Sequence, residues 1–157
     1  MAAPNGFAKR WRGRFGTARA MAALACARLV VAAVPFHHWR DRLGGRPSHA
    51  VAGPRPIDPL AEGQRLARQV EWAAARLPFS TKCLPRATAL SWILRRKRIG
   101  HALVFAVRPA GLRGGPDALH AWIEIEGVTV IGELPGPWLE TLRLGESPME
   151  TGLLRRR

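Results

Sequence analysis

The spacing of apolar residues changes at Gly100, and that change restricts the fold more than any other feature of the chain. Before it, apolar positions recur at helical intervals and prolines bracket the runs. After it, "HALVFAVR", "HAWIEIE" and "VTVIGE" (residues 101–108, 120–126 and 128–133) alternate with a period of two. A helical pattern does not lie down as a half-buried strand, nor the reverse. Helices followed by a small antiparallel sheet predict an α+β domain. A chain of 157 residues has room for one main core.

The helical half divides at its prolines. Residues 1–17 read as a frayed end, followed by a helix over 18–34 that stops at Pro35. "FHHWRDRL" (36–43) predicts a short second helix anchored by Trp39, and the Gly/Pro-rich stretch 44–56 reads as a linker. Residues 1–55 are therefore expected to form an Ala/Arg-rich helical segment with its linker, and 56–157 the core. Asp58 can cap the next helix with Pro59 in its first turn. Leu66, Val70, Ala73, Ala74 and Leu77 then share a face until Pro78. Pro85 and Gly100 bracket a helix over 83–97 that buries Ala87, Leu90, Ile93 and Leu94. Arg95, Arg96, Lys97 and Arg98 fall at its C-terminal end, where positive charge complements the helix dipole.

The net charge of +14 raises the question of an anionic partner. Residues 1–57 hold ten Lys/Arg against Asp41 alone, whereas 120–157 hold four against six acids, so the charge is polarised toward the N-terminus. No aromatic platform or nucleic-acid-binding motif accompanies it, which argues against a nucleic-acid partner. The apolar run 20–34 behind a basic flank resembles a signal segment, but Arg28 interrupts it and it falls short of the ~20 residues that span a bilayer. Peripheral contact with anionic lipid stays open. Two distant cysteines do not make a disulfide framework; one buried thiol (Cys26) and one reactive thiol (Cys83) in the reducing cytoplasm is the expectation. His37, His38 and His49 lack zinc-ligand spacing with either cysteine, so no metal site is predicted.

The chemistry-bearing residues gather around the last two strands. With Glu126-Gly127 as a two-residue hairpin turn, Ile125 faces Val128 and, by continuation, His120 faces Glu133. Opposed Cβ atoms at such a site lie ~4.5–5.5 Å apart. Ala121, Ile123, Ile125, Val128, Val130 and Gly132 would then form the apolar face, with His120, Trp122, Glu124, Thr129, Ile131 and Glu133 on the other. A carboxylate accepting an imidazole N–H fixes the tautomer of a general base, though a surface His–Glu pair has the same pattern. Cys83 begins a helix, where unpaired amides and the dipole favour a thiolate, and Lys82 adds positive charge. Cysteine, histidine and an acid in this arrangement suit acyl transfer through a thioester. His101 is assigned a structural or exposed position, and Trp122 is expected to shield the site, with substrate binding as its alternative role. Arg86, one turn into the cysteine's helix, could bind a carboxylate or simply be solvated.

"CLPRATAL" (83–90) followed by "LHAWIEIEG" (119–127) resembles the stand-alone leader peptidases of lasso-peptide biosynthesis, a branch of the transglutaminase-like cysteine proteases. The likeness runs over residues 60–140, and "LVVAAVPFHHW" (29–39) is similar to the N-terminal part of the same proteins. It implies a transglutaminase/papain-like core with Cys83 as nucleophile and His120 as base, and no cofactor. The family's third member is usually an Asp shortly after the turn; the nearest acid here is Glu133, with Asp117 as a fallback.

The resemblance implies cleavage of a precursor peptide at the leader–core junction, with the Cys83 N–H as an oxyanion donor. Fused relatives carry a leader-binding module ahead of the protease. No strand pattern precedes residue 55 here, so a separate leader-recognition protein is expected, with the lasso cyclase as a further candidate partner. Two alternatives remain open: amide transfer to an amine through the same acyl-thioester, and a non-enzymatic basic adaptor for membrane or nucleic acid.

Overall fold

A computed structural model describes residues 5–44, 58–112 and 118–145. Among them the chain forms three α-helices and then four strands. Helix α1 spans Asn5–Ala33, beginning well before the expected residue 18. Alanine and other good helix formers fill the described part of it, and Pro35 ends it by disfavouring the helical conformation just upstream. Ala20, Leu24 and Ala27 bury one narrow stripe of α1 against α2 and α3. Small side chains there allow close approach. Two short 3-10 turns, Phe36–His38 and Arg40–Arg42, replace the expected second helix. Trp39 anchors them as expected, 5 % exposed, with its indole N–H donated to the Val34 carbonyl at 3.0 Å.

Helix α2 (Pro59–Ala74) starts where its capping chemistry dictates, the Asp58 carboxylate accepting the Ala61 N–H at 2.8 Å. Leu66, Val70, Ala73 and Ala74 are buried; Leu77 lies beyond the helix end and is half-buried. Helix α3 (Cys83–Arg96) buries Ala87, Leu90 and Leu94, with Ile93 at the edge of the core. Because Ala20, Leu24 and Ala27 share one core with these side chains, α1 is built into the domain. The expected linker lies almost wholly outside the described residues. By length and composition Gly16–Ala33 could cross a membrane, at a mean hydropathy of 1.4 with 17 % of it buried. Core helices and signal sequences share that length and composition, so a membrane crossing does not follow from it.

Strands β1 (Ala102–Val107), β2 (Leu119–Ile125), β3 (Val128–Ile131) and β4 (Leu139–Gly145) form one antiparallel sheet in the order β3-β2-β1-β4. Strand β4 was not expected. Its alternation breaks at Thr141, where the register with β1 shifts: Phe105 pairs with Leu142 but Ala106 with Glu140. Thr141 is the extra residue of a bulge, so a period-two reading misses the strand.

The hairpin turn is as expected, with Glu126 and Gly127 at φ 52° and 80° and Ile125 opposite Val128. The register beyond it is not. Glu124 pairs with Thr129, but Ile123 pairs with Ile131, leaving Val130 as an extra residue in β3. A one-residue slip exchanges the faces. Ile131, beyond the slip, is therefore buried where the other face was expected. Val128 keeps its expected partner Ile125 but is exposed beside the turn, contrary to its expected place on the apolar face. Strand β3 ends at Ile131, so Glu133 is never paired across from His120.

A polar chain crosses the interior beside the sheet. His101, 1 % exposed, donates its Nδ1–H to the Ile99 carbonyl at 2.9 Å, leaving Nε2 to accept the Ser91 hydroxyl at 2.8 Å. Ser91 in turn accepts the Gly44 N–H at 3.1 Å. Gly44 has φ +66° and lies so close to the Leu144 carbonyl that no Cβ fits. Burial lowers the His101 pKa to about 4 from 6.5, with only partial opposition from the Ile99 carbonyl. The unfolded chain therefore binds the extra proton first as pH falls. The stability present above pH 6.5 should drop by about 2 kcal/mol at pH 5. Urea unfolding midpoints at pH 7 and pH 5 measure this, and His101→Gln should flatten the difference. Equal wild-type midpoints would contradict it.

Candidate active site

Helix α3 begins without a side-chain cap. Lys82 occupies the N-cap position in an extended conformation, φ −75° and ψ 174°. The first amides of a helix have no intrahelical acceptor. Pro85 has no N–H to contribute, and the Arg86 N–H already reaches the Lys82 carbonyl at 3.4 Å. Cys83 and Leu84 therefore carry the free donors of this end. The Cys83 side chain is partly exposed and opens into a cavity of about 490 Å³.

The opposite wall of that cavity comes from β2 and the chain leaving β3. His120 contributes to it from β2, and Gly132, Glu133 and Leu134 from the segment after β3. The His120 ring is 5 % exposed, and its Nε2 lies 2.5 Å from the Gly132 carbonyl oxygen. A carbonyl only accepts, so Nε2 carries the proton and the neutral ring keeps its lone pair on Nδ1. The orienting acceptor is thus a main-chain oxygen, where a carboxylate was expected. Glu133 lines the same cavity and is exposed, with no hydrogen bond to His120. Its expected seat across the hairpin is lost through the Val130 bulge. Asp117 lies outside the described residues.

Gly132 reaches this position because it has φ +85°; a Cβ there would lie 2.8 Å from the Ala121 carbonyl oxygen. Two indoles flank the imidazole. Trp138 lies at 5.0 Å between ring centroids and Trp122 at 5.9 Å, tilted by 33° and 30°. Trp138 donates its indole N–H to the Leu134 carbonyl at 3.2 Å, and the Arg108 guanidinium lies 4.6 Å from its ring centroid. Trp122 donates to Glu124 at 2.7 Å, and Glu124 is bonded at 2.8 Å to Arg143. Arg143 also pairs with Glu140, and its hydrogen bonds hold that carboxyl below the ordinary range. Trp122 is thereby fixed beside His120 without lining the cavity. Sequence reasoning missed Gly132 and Trp138. The isolated glycine after a strand was the available signal for the first; the second was hidden with the unrecognised β4.

Arg86 lines the cavity but is engaged. Its Nε donates to Thr81 at 3.0 Å and its Nη1 to Glu71 at 2.9 Å. These bonds tie the turn before Cys83 to α2. The second cysteine departs from expectation, since Cys26 is exposed on α1. Among the described residues no group of three or more His, Cys, Asp or Glu side chains converges as a metal site would require.

A cysteine at a helix N-terminus sharing a cavity with a buried sheet histidine is the arrangement of thiol acyl-transfer enzymes. Residues 20–141 match the transglutaminase-like superfamily, and the chain belongs to it. Its fold is therefore of the cysteine protease/acyltransferase type. No curated protein and no solved structure matches the chain.

The geometry assigns the histidine's orientation to Gly132 and not to Glu133. In nitrogen-15 spectra the hydrogen-bonded Nε2–H signal of His120 should persist in Glu133→Gln. It should be lost or exchange-broadened in Gly132→Ala, with a destabilisation of about 1–3 kcal/mol from the imposed backbone strain. The opposite pattern would return the orienting role to the carboxylate.

Proposed function

We propose that this protein is a cysteine peptidase that removes the leader from a ribosomally synthesised precursor peptide during lasso-peptide maturation. The observation that carries the reading is the opening of Cys83 and His120 into one cavity, on the two sequence stretches that resemble the leader peptidases. The transglutaminase-like superfamily match supports the chemistry. The substrate comes from the resemblance alone.

In this reading His120 Nδ1 takes the Cys83 thiol proton as sulfur attacks the carbonyl carbon at the leader–core junction. The tetrahedral oxyanion forms near the start of α3, where the Cys83 N–H is a donor. The Nε2–H bond to Gly132 keeps the imidazolium aimed at the cavity. His120 then protonates the departing amine and the C–N bond breaks, leaving an acyl-thioester. Water, deprotonated by the same nitrogen, attacks the thioester and regenerates the thiol. Trp122 and Trp138 limit the ring's rotation, while Arg86 and Glu133 border the substrate's path. Glu133 adds negative charge to the mouth of the cavity. The remaining parts of the proposal are a cytoplasmic setting, a separate leader-recognition protein and contact with the lasso cyclase.

Amide transfer would share every step up to the thioester and differ only in the group that resolves it. Mass spectrometry of a candidate precursor incubated with the protein and its recognition partner separates the two: hydrolysis gives a free acid, transfer an adduct with the amine. Cys83→Ala should abolish both, and His120→Ala should slow the reaction by about a thousandfold. Glu133→Gln should stay within about tenfold of wild type, as expected for a group outside the hydrogen-bonded pair. An uncut precursor in the presence of an active partner would overturn the peptidase reading. Unchanged activity in Cys83→Ala would overturn thiol chemistry altogether.

A further inference from the structure

A second concavity, of about 630 Å³, lies between α1, the 3-10 turns and the C-terminal half of α3. Its apolar surface comes from Ala22, Cys26 and Val30 of α1, together with Trp39, Trp92 and Ile93. Four arginines surround it: Arg19, Arg42, Arg95 and Arg96. Among the described residues no acidic side chain lines it. Among the described residues Arg95 donates only to main-chain carbonyls, chiefly Gly44 at 2.9 Å, and no carboxylate there neutralises its charge. Asp41 lies nearby in sequence, but its carboxylate pairs with Arg40 at 3.6 Å.

We infer that this groove docks an acidic peptide segment of a protein partner, one that carries aliphatic side chains at helical spacing between its carboxylates. The apolar floor would take the aliphatic side chains, and the arginine rim would pair with Asp or Glu. Guanidinium groups suit this because they bind carboxylates in a two-pronged geometry. A peptide fits the shape better than a bilayer does. The charges stand around a concave surface that a flat lipid surface cannot enter. Arg28 does not line the groove; it donates to the Ser80 carbonyl and lies over the Phe79 ring. Cys83 and His120 line the other cavity, so this inference does not depend on the peptidase reading.

Cys26 provides a reporter, since it is exposed within the groove, whereas Cys83 lies in the other cavity. The probe is a synthetic helix of leucine and glutamate, with leucines on one face. Rates of iodoacetamide labelling at the two cysteines are followed by mass spectrometry. The Glu/Leu peptide should slow Cys26 labelling in a saturable way, leave Cys83 unchanged and lose affinity as salt is raised. The triple variant Arg19→Glu, Arg42→Glu, Arg96→Glu should weaken protection at least about tenfold, since it reverses the rim charge. The same peptide with lysine in place of glutamate should give no protection of the wild-type protein, a comparison that holds even if the variant misfolds. Equal protection by both peptides would reduce the groove to a non-selective apolar surface and overturn the inference. So would absence of protection by the Glu/Leu peptide. Protection by phosphatidylglycerol vesicles alone would assign the face to lipid, and protection that rises with protein concentration alone would assign it to a second copy.

Discussion

The hydrogen bond from His120 to the Gly132 carbonyl is the contact around which the candidate site is arranged. It needs three things of the backbone at once. Strand β3 must leave β2 early, the chain must turn with a positive φ, and the turning residue must have no side chain. The Val130 bulge supplies the first and Gly132 the other two. A regular hairpin would have carried β3 onward beside β2. The histidine would then have faced a residue on a paired strand, with the main-chain carbonyl spent on the ladder. The irregularity frees an acceptor at the place where the imidazole needs one.

The same economy holds on the helical side. A cysteine at a helix start is held only as firmly as the helix end itself, and α3 has no side-chain cap. Firmness comes from elsewhere. Arg86 binds Thr81 just before the helix and Glu71 on α2, so the approach to Cys83 is braced from two directions. Further along the helix, Ser91 links the Gly44 amide to His101, joining the segment after α1, α3 and the start of β1. Helix α1, packed on α3 through Ala20, Leu24 and Ala27, adds to how rigidly α3 is seated. This agrees with the superfamily match beginning at Ala20, within α1.

Much of this architecture was legible in the sequence because it rests on local chemistry. Asp58-Pro59 starts α2, Pro85 and Gly100 bracket α3, and Glu126-Gly127 turns the hairpin: each is a statement about a few adjacent residues. What escaped was non-local. Whether β3 keeps its register depends on which of Val130 and Ile131 the helices will accept against Ile123, and both are β-branched aliphatics of similar worth. Composition cannot choose between them, yet the choice exchanges faces and moves Glu133 off the histidine. Strand β4 was hidden for a related reason, since a bulge at Thr141 destroys the alternation that identifies a strand. Cys26 was misassigned because an Ala-rich helix offers several possible buried stripes of nearly equal hydrophobicity. Packing chose Ala20, Leu24 and Ala27.

Helix α3 also fixes how the two concavities relate. Its N-terminal residue opens into one, and Trp92, Ile93, Arg95 and Arg96 border the other. Fourteen helical residues at 1.5 Å each separate the two ends by about 20 Å. An extended chain covers ~3.3–3.6 Å per residue. A single peptide engaging both would therefore need about five or six residues between an acidic anchor at Arg95 or Arg96 and the bond presented to Cys83, and more if it follows the curved surface. A substrate with a shorter interval could use only one concavity at a time. The acidic segment would then have to belong to a partner that presents the substrate, so the length of the spacer decides whether recognition and cleavage act on one chain or two.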